Sequence, residues 1–134
     1  RSYTWELAKM IREKNPPRFD FCYFDGDHTW DGTGFGFLLV DVLLRPGGWI
    51  LFDDLKWTIK ESLKDRAKPP RHWTACDEDE QATPAVQLVF DELVPHLGYT
   101  NLKTFNNGWW GVARKPLKPT ASDGLANRIR SLLR

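Results

Sequence analysis

Two short apolar runs, each ending in carboxylates, limit what this chain can fold into more than any other feature. Residues 19–25 read FDFCYFD and residues 48–54 read GWILFDD. The first is apolar on both faces apart from Asp20, and the second carries Trp49, Ile50, Leu51 and Phe52 in succession. Strands of this kind are covered on both sides, the condition of a parallel sheet. Residues 30–44 between them read as a helix. Phe35, Leu38, Leu39 and Val42 lie on one face, and Phe37, Val40 and Leu44 give it a second apolar side. Gly32, Gly34 and Gly36 weaken its first turns, and RPGG stops it. Strand, helix and strand within about 35 residues make one parallel β-α-β unit, whose crossover should be right-handed.

All strands of a parallel sheet end at one edge, and neighbours lie about 5 Å apart. Asp25 and the pair Asp53-Asp54 should therefore converge, with Asp27 and His28 just beyond. Ligands of open α/β sheets bind at this carboxyl edge. Three converging carboxylates repel one another unless something positive sits between them. A ligand set of oxygens alone suits a hard cation such as Mg²⁺, Mn²⁺ or Ca²⁺ rather than zinc. Such an ion can hold a substrate's oxygens and favour their deprotonation, with His28 or Asp27 to take the proton. Asp-Gly-Asp is also a common turn, and Asp53-Asp54 could cap the segment that follows. Their occurrence on two consecutive parallel strands is what argues for a site.

The rest of the chain supplies flanking elements. Residues 2–14 read as a helix, with Ser2 or Thr4 as its cap and Trp5, Ala8 and Ile11 as its buried stripe; NPPR breaks it. Residues 56–82 have no clean period and read as an inserted loop or lid. Thr83-Pro84 opens a further helix with cap and first-turn proline in order. Its stripe is Val86, Val89, Phe90, Leu93 and Leu97, and Gly98 ends it. Residues 99–105 and 109–114 read as strands about NNG, a two-residue hairpin signal. A basic tail, 116–134, carries a short amphipathic helix with Leu125, Ile129, Leu132 and Leu133 on one side.

Length and charge exclude more than they specify. The 134 residues make one domain or part of one, with 41% apolar content and a net charge of +1 that favours no particular partner. No apolar run is long enough to span a membrane, and no signal peptide is visible. Cys22 lies in an apolar run and Cys76 in a charged one, so a disulfide framework is not indicated and a reducing, cytoplasmic setting is expected.

FDFCYFDGDHTWDG followed by LLRPGGWILFDDL resembles the second half of a class I S-adenosylmethionine-dependent methyltransferase. It most resembles the metal-assisted small-molecule O-methyltransferases, where an IDGDH-like strand end precedes PGG, an apolar run and DD. TPAVQLVFDELVPHLGY resembles the family's next helix, and NNGWWGVARK its closing hairpin. The resemblance spans roughly residues 2–115. It implies an α/β, Rossmann-like methyltransferase fold in its C-terminal portion, with parallel strands and a closing antiparallel hairpin, and residues 56–82 as an insert. By position, Asp25 matches the first metal-binding aspartate, near the cofactor's methionine portion, and Asp53 and Asp54 match the second and third. Asp27 or His28 matches the region supplying the base, His28 being preferred. Gly26 would let the backbone approach the cofactor, and Ser2 matches a position that helps hold the adenine.

The family's glycine-rich loop and its ribose-binding acidic residue have no counterpart here, and neither do its first strands. The Phe21 strand would then be a long apolar sheet edge, which proteins avoid. The expectation is that an N-terminal portion is missing or that another chain covers this edge, and that these residues alone do not hold S-adenosylmethionine tightly.

The resemblance therefore implies S-adenosylmethionine and Mg²⁺ or a similar divalent cation as cofactors, and a small-molecule hydroxyl as methyl acceptor. Trp30 and Trp57 near the rim, with Trp73, could stack on a planar substrate or simply cover the core and lid. Trp49 belongs to a core strand, and Trp5 should be buried. His72 and Cys76 do not make a zinc set, and DEDE reads as a solvated surface. The basic tail is a docking helix or homodimer contact rather than a nucleic-acid arm. Two other readings stay open. One is a non-catalytic, methyltransferase-derived assembly module; the other is hydroxylase-like or hydrolytic metal chemistry at the same rim.

Overall fold

The computed structural model describes residues 2–117. Helix α1 (Tyr3–Arg12) precedes strand β1 (Phe19–Phe24), and α2 (Trp30–Leu43) runs directly into β2 (Leu44–Phe52). β1 and β2 pair in parallel, with Cys22 opposite Ile50 and Phe24 opposite Phe52. The expected β-α-β unit is present, and both strands end at one edge. β2 begins earlier than the apolar run suggests. Leu44 is already extended, so Arg45-Pro46-Gly47-Gly48 enters the strand, and Phe19 pairs with Leu44 across a register shift. Strand β4 (Trp110–Arg114) lies antiparallel to β2, and β3 (Thr100–Phe105) antiparallel to β4, giving the order β1-β2-β4-β3.

Helices cover one face of this sheet. Phe24, Ile50, Phe52 and Ala113 point into a core with Phe37, Val40, Val86, Val89, Phe90 and Val94. Phe52 lies at its centre, its ring 5.3 Å from Phe24 and 5.6 Å from both Phe37 and Phe90. The alternate residues face outward. Phe21 is 57% exposed and Tyr23 51%, and the Trp49 ring lies 5.6 Å beneath the Arg114 guanidinium. Among the described residues, therefore, the parallel strands are covered on one side and not on both.

The buried faces of the helices differ from those read off the sequence. In α2 the buried residues are Thr33, Gly34, Gly36, Phe37, Val40 and Leu43, while Phe35 and Leu38 are exposed. The glycines decide this. They let α1 approach so closely that the Tyr3 ring fills the space where Gly36 would carry a side chain, and the Tyr3 hydroxyl donates to the Gly32 carbonyl at 2.7 Å. α1 turns Tyr3 and Leu7 inward, and Trp5 is exposed, stacked near Arg12. Ser2 stands at the N-cap of α1 without capping it; its hydroxyl pairs with that of Thr4. Gly36→Ala is expected to lower stability by about 1–3 kcal/mol, because a methyl group there displaces Tyr3 from its slot. Urea denaturation followed by tryptophan fluorescence measures it.

Segment 56–82 is not a structureless loop. It holds α3 (Ile59–Lys64), α4 (Arg71–Ala75) and α5 (Glu78–Ala82), with Thr58 and Asp77 capping the first and last. The three are too short to show a period. Thr83 ends α5 rather than starting the next helix, its hydroxyl donating to the Asp79 carbonyl. The following helix begins as α6 (Ala85–Leu88), widens into a π-helical turn (Val89–Leu93) and closes as α7 (Val94–His96). Its buried residues include Val86, Val89 and Phe90 from the expected stripe, and Val94 in addition. The hairpin turn is longer than two residues. Asn106 and Asn107 take φ near +54° and Gly108 +81°, and Phe105 pairs with Trp110. Beyond β4 the buried Lys115 ammonium reaches the Asp41 carboxylate at 3.0 Å, which also accepts from Tyr99 at 2.7 Å. These contacts tie the sheet's end to α2. The amphipathic helix expected in the tail lies outside the described residues.

Candidate metal centre

The parallel strands deliver their acidic ends to one place, because β1 and β2 stop in register at Phe24 and Phe52. Asp25 follows the first, and Asp53-Asp54 the second. Their side chains then separate. The Asp53 amide donates to the Phe24 carbonyl at 3.2 Å and continues the ladder. Its carboxylate accepts the Tyr23 hydroxyl and, at 2.7 Å, the Asp54 amide. Tyr23 and Asp53 share a sheet face, since Tyr23 pairs with Leu51 and side chains alternate. That hydrogen bond is the main reason the Tyr23 phenol is pushed up to about 12.

Asp54 takes a left-handed backbone, φ 57°, uncommon outside glycine but tolerated by Asp and Asn. Its carboxylate lies 3.1 Å from His28 Nε2. Asp25, His28 and Asp54 each bring a donor atom within 4.8 Å of the others. The Trp57 ring packs 4.7 Å from the His28 ring and meets Trp73 edge-on at 5.2 Å, while Arg66 covers Trp73 at 4.9 Å. The helical segment after β2 thus reaches the rim through Trp57, whose near neighbour is His28. Trp30, the first residue of α2, is 40% exposed.

Asp27 has a different place. Its Oδ1 accepts from the Thr29 amide at 2.8 Å and the Thr29 hydroxyl at 2.9 Å, and its carboxyl group covers Gly32. It organises the start of α2, where Thr29 caps Gly32. Asp31, in the first turn, is held below the usual carboxylate range by the Thr29 hydroxyl and the Gly32 amide. Asp25 and Gly26 line a cleft of about 500 Å³ along the side of β1 that pairs with no strand among the described residues, with Tyr3, Leu7 and Cys22. Ser2 lines a second, of about 660 Å³, with Thr4 and Phe35. Tyr3 and Asp27 border both, and the Tyr3 ring sits against the Gly26 backbone. Both volumes suit a small ligand.

Burial pushes the Cys22 thiol up to about 11 and the Tyr3 phenol up to about 12. In each case the folded state prefers the protonated form. Stability from Cys22 is complete below pH 9, where even an unfolded thiol is protonated, and falls as pH rises towards 11; Tyr3 extends the loss towards 12. Urea midpoints should therefore decline above pH 9, and Cys22→Ser should flatten the first part of the decline.

Tyr23 and the closeness of Trp57 to His28 were not expected from sequence. Strand alternation signals the first, since residues 23 and 25 share a face with 51 and 53. Nothing in the sequence signals the second.

No protein-family model matches the chain, and no curated protein sequence does. Solved structures do. The MycE methyltransferase from the mycinamycin biosynthetic pathway, in complex with Mg, SAH and mycinamycin VI, matches 84% of this chain at 15% identity with a TM-score of 0.53. Two further MycE structures, with Mg and SAH, match at the same identity with TM-scores of 0.52. The fold is Rossmann-like, of the methyltransferase kind. The chain spans 29–30% of the length of MycE. No described helix is long and apolar enough to cross a membrane.

Proposed function

We propose that this chain is part of an S-adenosylmethionine-dependent O-methyltransferase that uses a divalent cation and acts on a hydroxyl group of a small molecule. The observation that carries the reading is the gathering of Asp25, His28 and Asp54 at the carboxyl edge of a methyltransferase-like sheet. Two carboxylates and an imidazole this close fit a divalent cation by charge and donor type. The MycE structures carrying Mg and SAH support the same pairing of ion and cofactor.

When bound, S-adenosylmethionine supplies an electrophilic methyl group, and a divalent cation supplies positive charge beside the acceptor oxygen. The chain's own residues do the positioning. Asp25 and Asp54 present negative charge at the rim. Tyr23 holds Asp53, whose amide continues the ladder from Phe24 and so sets the start of the turn that carries Asp54. Asp25 and Gly26 border the cleft for the cofactor's methionine portion, and Ser2 the neighbouring cleft for its adenine. Asp27 fixes the turn between them by holding Thr29. Trp57 and Trp73 wall the acceptor's side. Two free cysteines support a reducing, cytoplasmic setting.

Calorimetric titration of the whole protein of which this chain is part with S-adenosylhomocysteine, with divalent cation present, is expected to show saturable micromolar binding that Asp25→Asn weakens. Absence of any heat would overturn the cofactor assignment. Methyl transfer that survives EDTA would remove the cation from the reaction.

A further inference from the structure

The hairpin brings to the rim two aromatic side chains that the core does not use. Gly111 and Ala113 are the buried residues of β4, with Phe90 and Leu55 closing over Gly111. Trp110 therefore points to the other face of the sheet. Phe105 pairs with it, and their rings meet edge-on at 5.7 Å. Phe105 is 41% exposed and Trp110 36%. An aromatic pair fixed at the surface with this much ring in water offers an apolar ligand a ready contact.

Register ties the pair to the site. Phe52 pairs with both Phe24 and Gly111, so the next row towards the rim runs Asp25, Asp53, Trp110, Phe105 across all four strands. Two carboxylates stand at one end of it and two aromatic rings at the other. At the usual strand spacing the backbone of Trp110 lies about 10 Å from that of Asp25, and Phe105 about 14 Å. The hairpin tip is also fastened to the segment that carries Asp54 and Trp57. The Leu55 amide donates to the Trp109 carbonyl at 2.9 Å, and the Lys56 ammonium donates to the Asn107 carbonyl. Within the tip, the Gly108 amide donates to the Phe105 carbonyl at 3.1 Å and the Trp109 amide to the Asn106 carbonyl at 3.0 Å. The aromatic pair thus keeps one place relative to the rim, and a ligand that meets both loses less to ordering the protein.

We propose that Phe105 and Trp110 are the docking platform for the body of the methyl acceptor, and that the acceptor is a hydroxyl-bearing compound of several apolar rings. Such a compound lies on the aromatic pair while its hydroxyl reaches the rim. A single six-membered ring, about one strand spacing across, reaches only one end of the row. The proposal rests on the methyltransferase reading above for the role of the bound molecule. It adds the size and polarity of that molecule, and a hairpin wall to the one that Trp57 and Trp73 supply.

The test is equilibrium dialysis of two neutral probes against the whole protein of which this chain is part, with S-adenosylhomocysteine and Mg²⁺ present. The probes are oestradiol, with four fused rings, and catechol, with one. Oestradiol is expected to bind saturably and at least about tenfold more tightly than catechol. Trp110→Ser and Phe105→Ser should each weaken oestradiol about tenfold and leave catechol unchanged. Trp110→Phe, which keeps a ring, should restore most of the affinity. All three variants should melt close to the parent protein, since the side chains changed are exposed. Oestradiol bound no better than catechol, bound equally well by the serine variants, or not bound at all overturns the proposal. Serine variants that melt several degrees lower with oestradiol binding unchanged overturn it too, because another part of the protein or a second copy then covers the pair. S-adenosylhomocysteine titrated into the same material reports on the underlying reading. If it binds and the oestradiol result fails, that reading stands without the platform; if it does not bind and the oestradiol result holds, the platform stands without methyl transfer.

Discussion

Asp54→Asn is expected to weaken Mn²⁺ binding by one to two orders of magnitude while leaving the fold unchanged. The two halves of this expectation come from different properties of one residue. Asp54 sits at φ 57°, where most residues with a Cβ are strained, but Asn, like Asp, is tolerated. The amide therefore keeps the backbone and removes the charge. What is lost is one of two carboxylates in the group and the anionic partner of His28. Losing even an outer partner of a metal site costs about 10–100-fold in affinity, and a direct ligand should cost no less. Asp54→Ala adds about 1–2 kcal/mol of backbone strain and should lower the melting temperature as well. Asp53→Asn is the control. An amide oxygen can still accept the Tyr23 hydroxyl, so ion affinity should stay within the same order of magnitude. Calorimetry with MnCl₂ on the three variants separates a centre of Asp25, His28 and Asp54 from one of Asp25, Asp53 and Asp54.

The largest effect on stability is expected at Phe52, where replacement by alanine should cost about 3–5 kcal/mol. Phe52 is fully buried, and its ring meets those of Phe24, Phe37 and Phe90. These come from β1, α2 and the π-helical turn, so one side chain joins three elements to β2. The cavity would open between a strand and helices already set by other contacts, including Lys115 with Asp41, and could not collapse freely. Phe52→Leu keeps most of the volume and should cost much less. Urea titrations of both variants, with an unchanged slope, give the difference directly. A domain of this size is marginally stable, so the alanine variant should be close to unfolded at 37 °C.

The parallel unit and its acidic rim were legible in the sequence because they follow from local patterns. The apolar runs ending at Phe24 and Phe52, a helix of compatible length and the stop at RPGG allow few other arrangements. The hairpin was legible through Asn106, Asn107 and Gly108, although the turn takes in more residues than the asparagine pair. Three things were hidden for identifiable reasons. The inward face of α2 is set by glycine, which carries no hydrophobic signal, so the apolar Phe35 and Leu38 pointed to the wrong side. Helical spacing with Ala8 and Ile11 points Trp5 inward, but it is Tyr3 that fits the slot over Gly36, and Trp5 is exposed. At the rim, chain order brings Asp25, Asp53 and Asp54 together equally. Which carboxylates meet depends on the left-handed turn at Asp54 and the Tyr23 hydroxyl, neither of which leaves a periodic trace. The outward row of Phe21, Tyr23 and Trp49 reads in the sequence as buried, because an apolar pattern shows that a face is apolar and not what lies against it.

The antiparallel insertion of β4 beside β2 also sets an order of assembly. β1, α2 and β2 are contiguous, and the paired residues of the two strands, such as Cys22 and Ile50, are less than half as far apart in sequence as those of β2 and β4. The Arg114 side chain that bonds the Gly47 carbonyl comes from 67 residues away, and every partner of β2 on that side is similarly distant. Loop-closure entropy grows only slowly with length, about 0.6 kcal/mol per doubling, yet contacts at such separation slow folding far more than they weaken the product. The seam between β2 and β4 should therefore be the last to close, and amide exchange at Ile50 and Phe52 during refolding should lag behind that of Cys22 and Phe24 on the opposite strand. Until it closes, β2 has one partner, and the strand at the heart of the finished sheet is for that interval its most vulnerable edge.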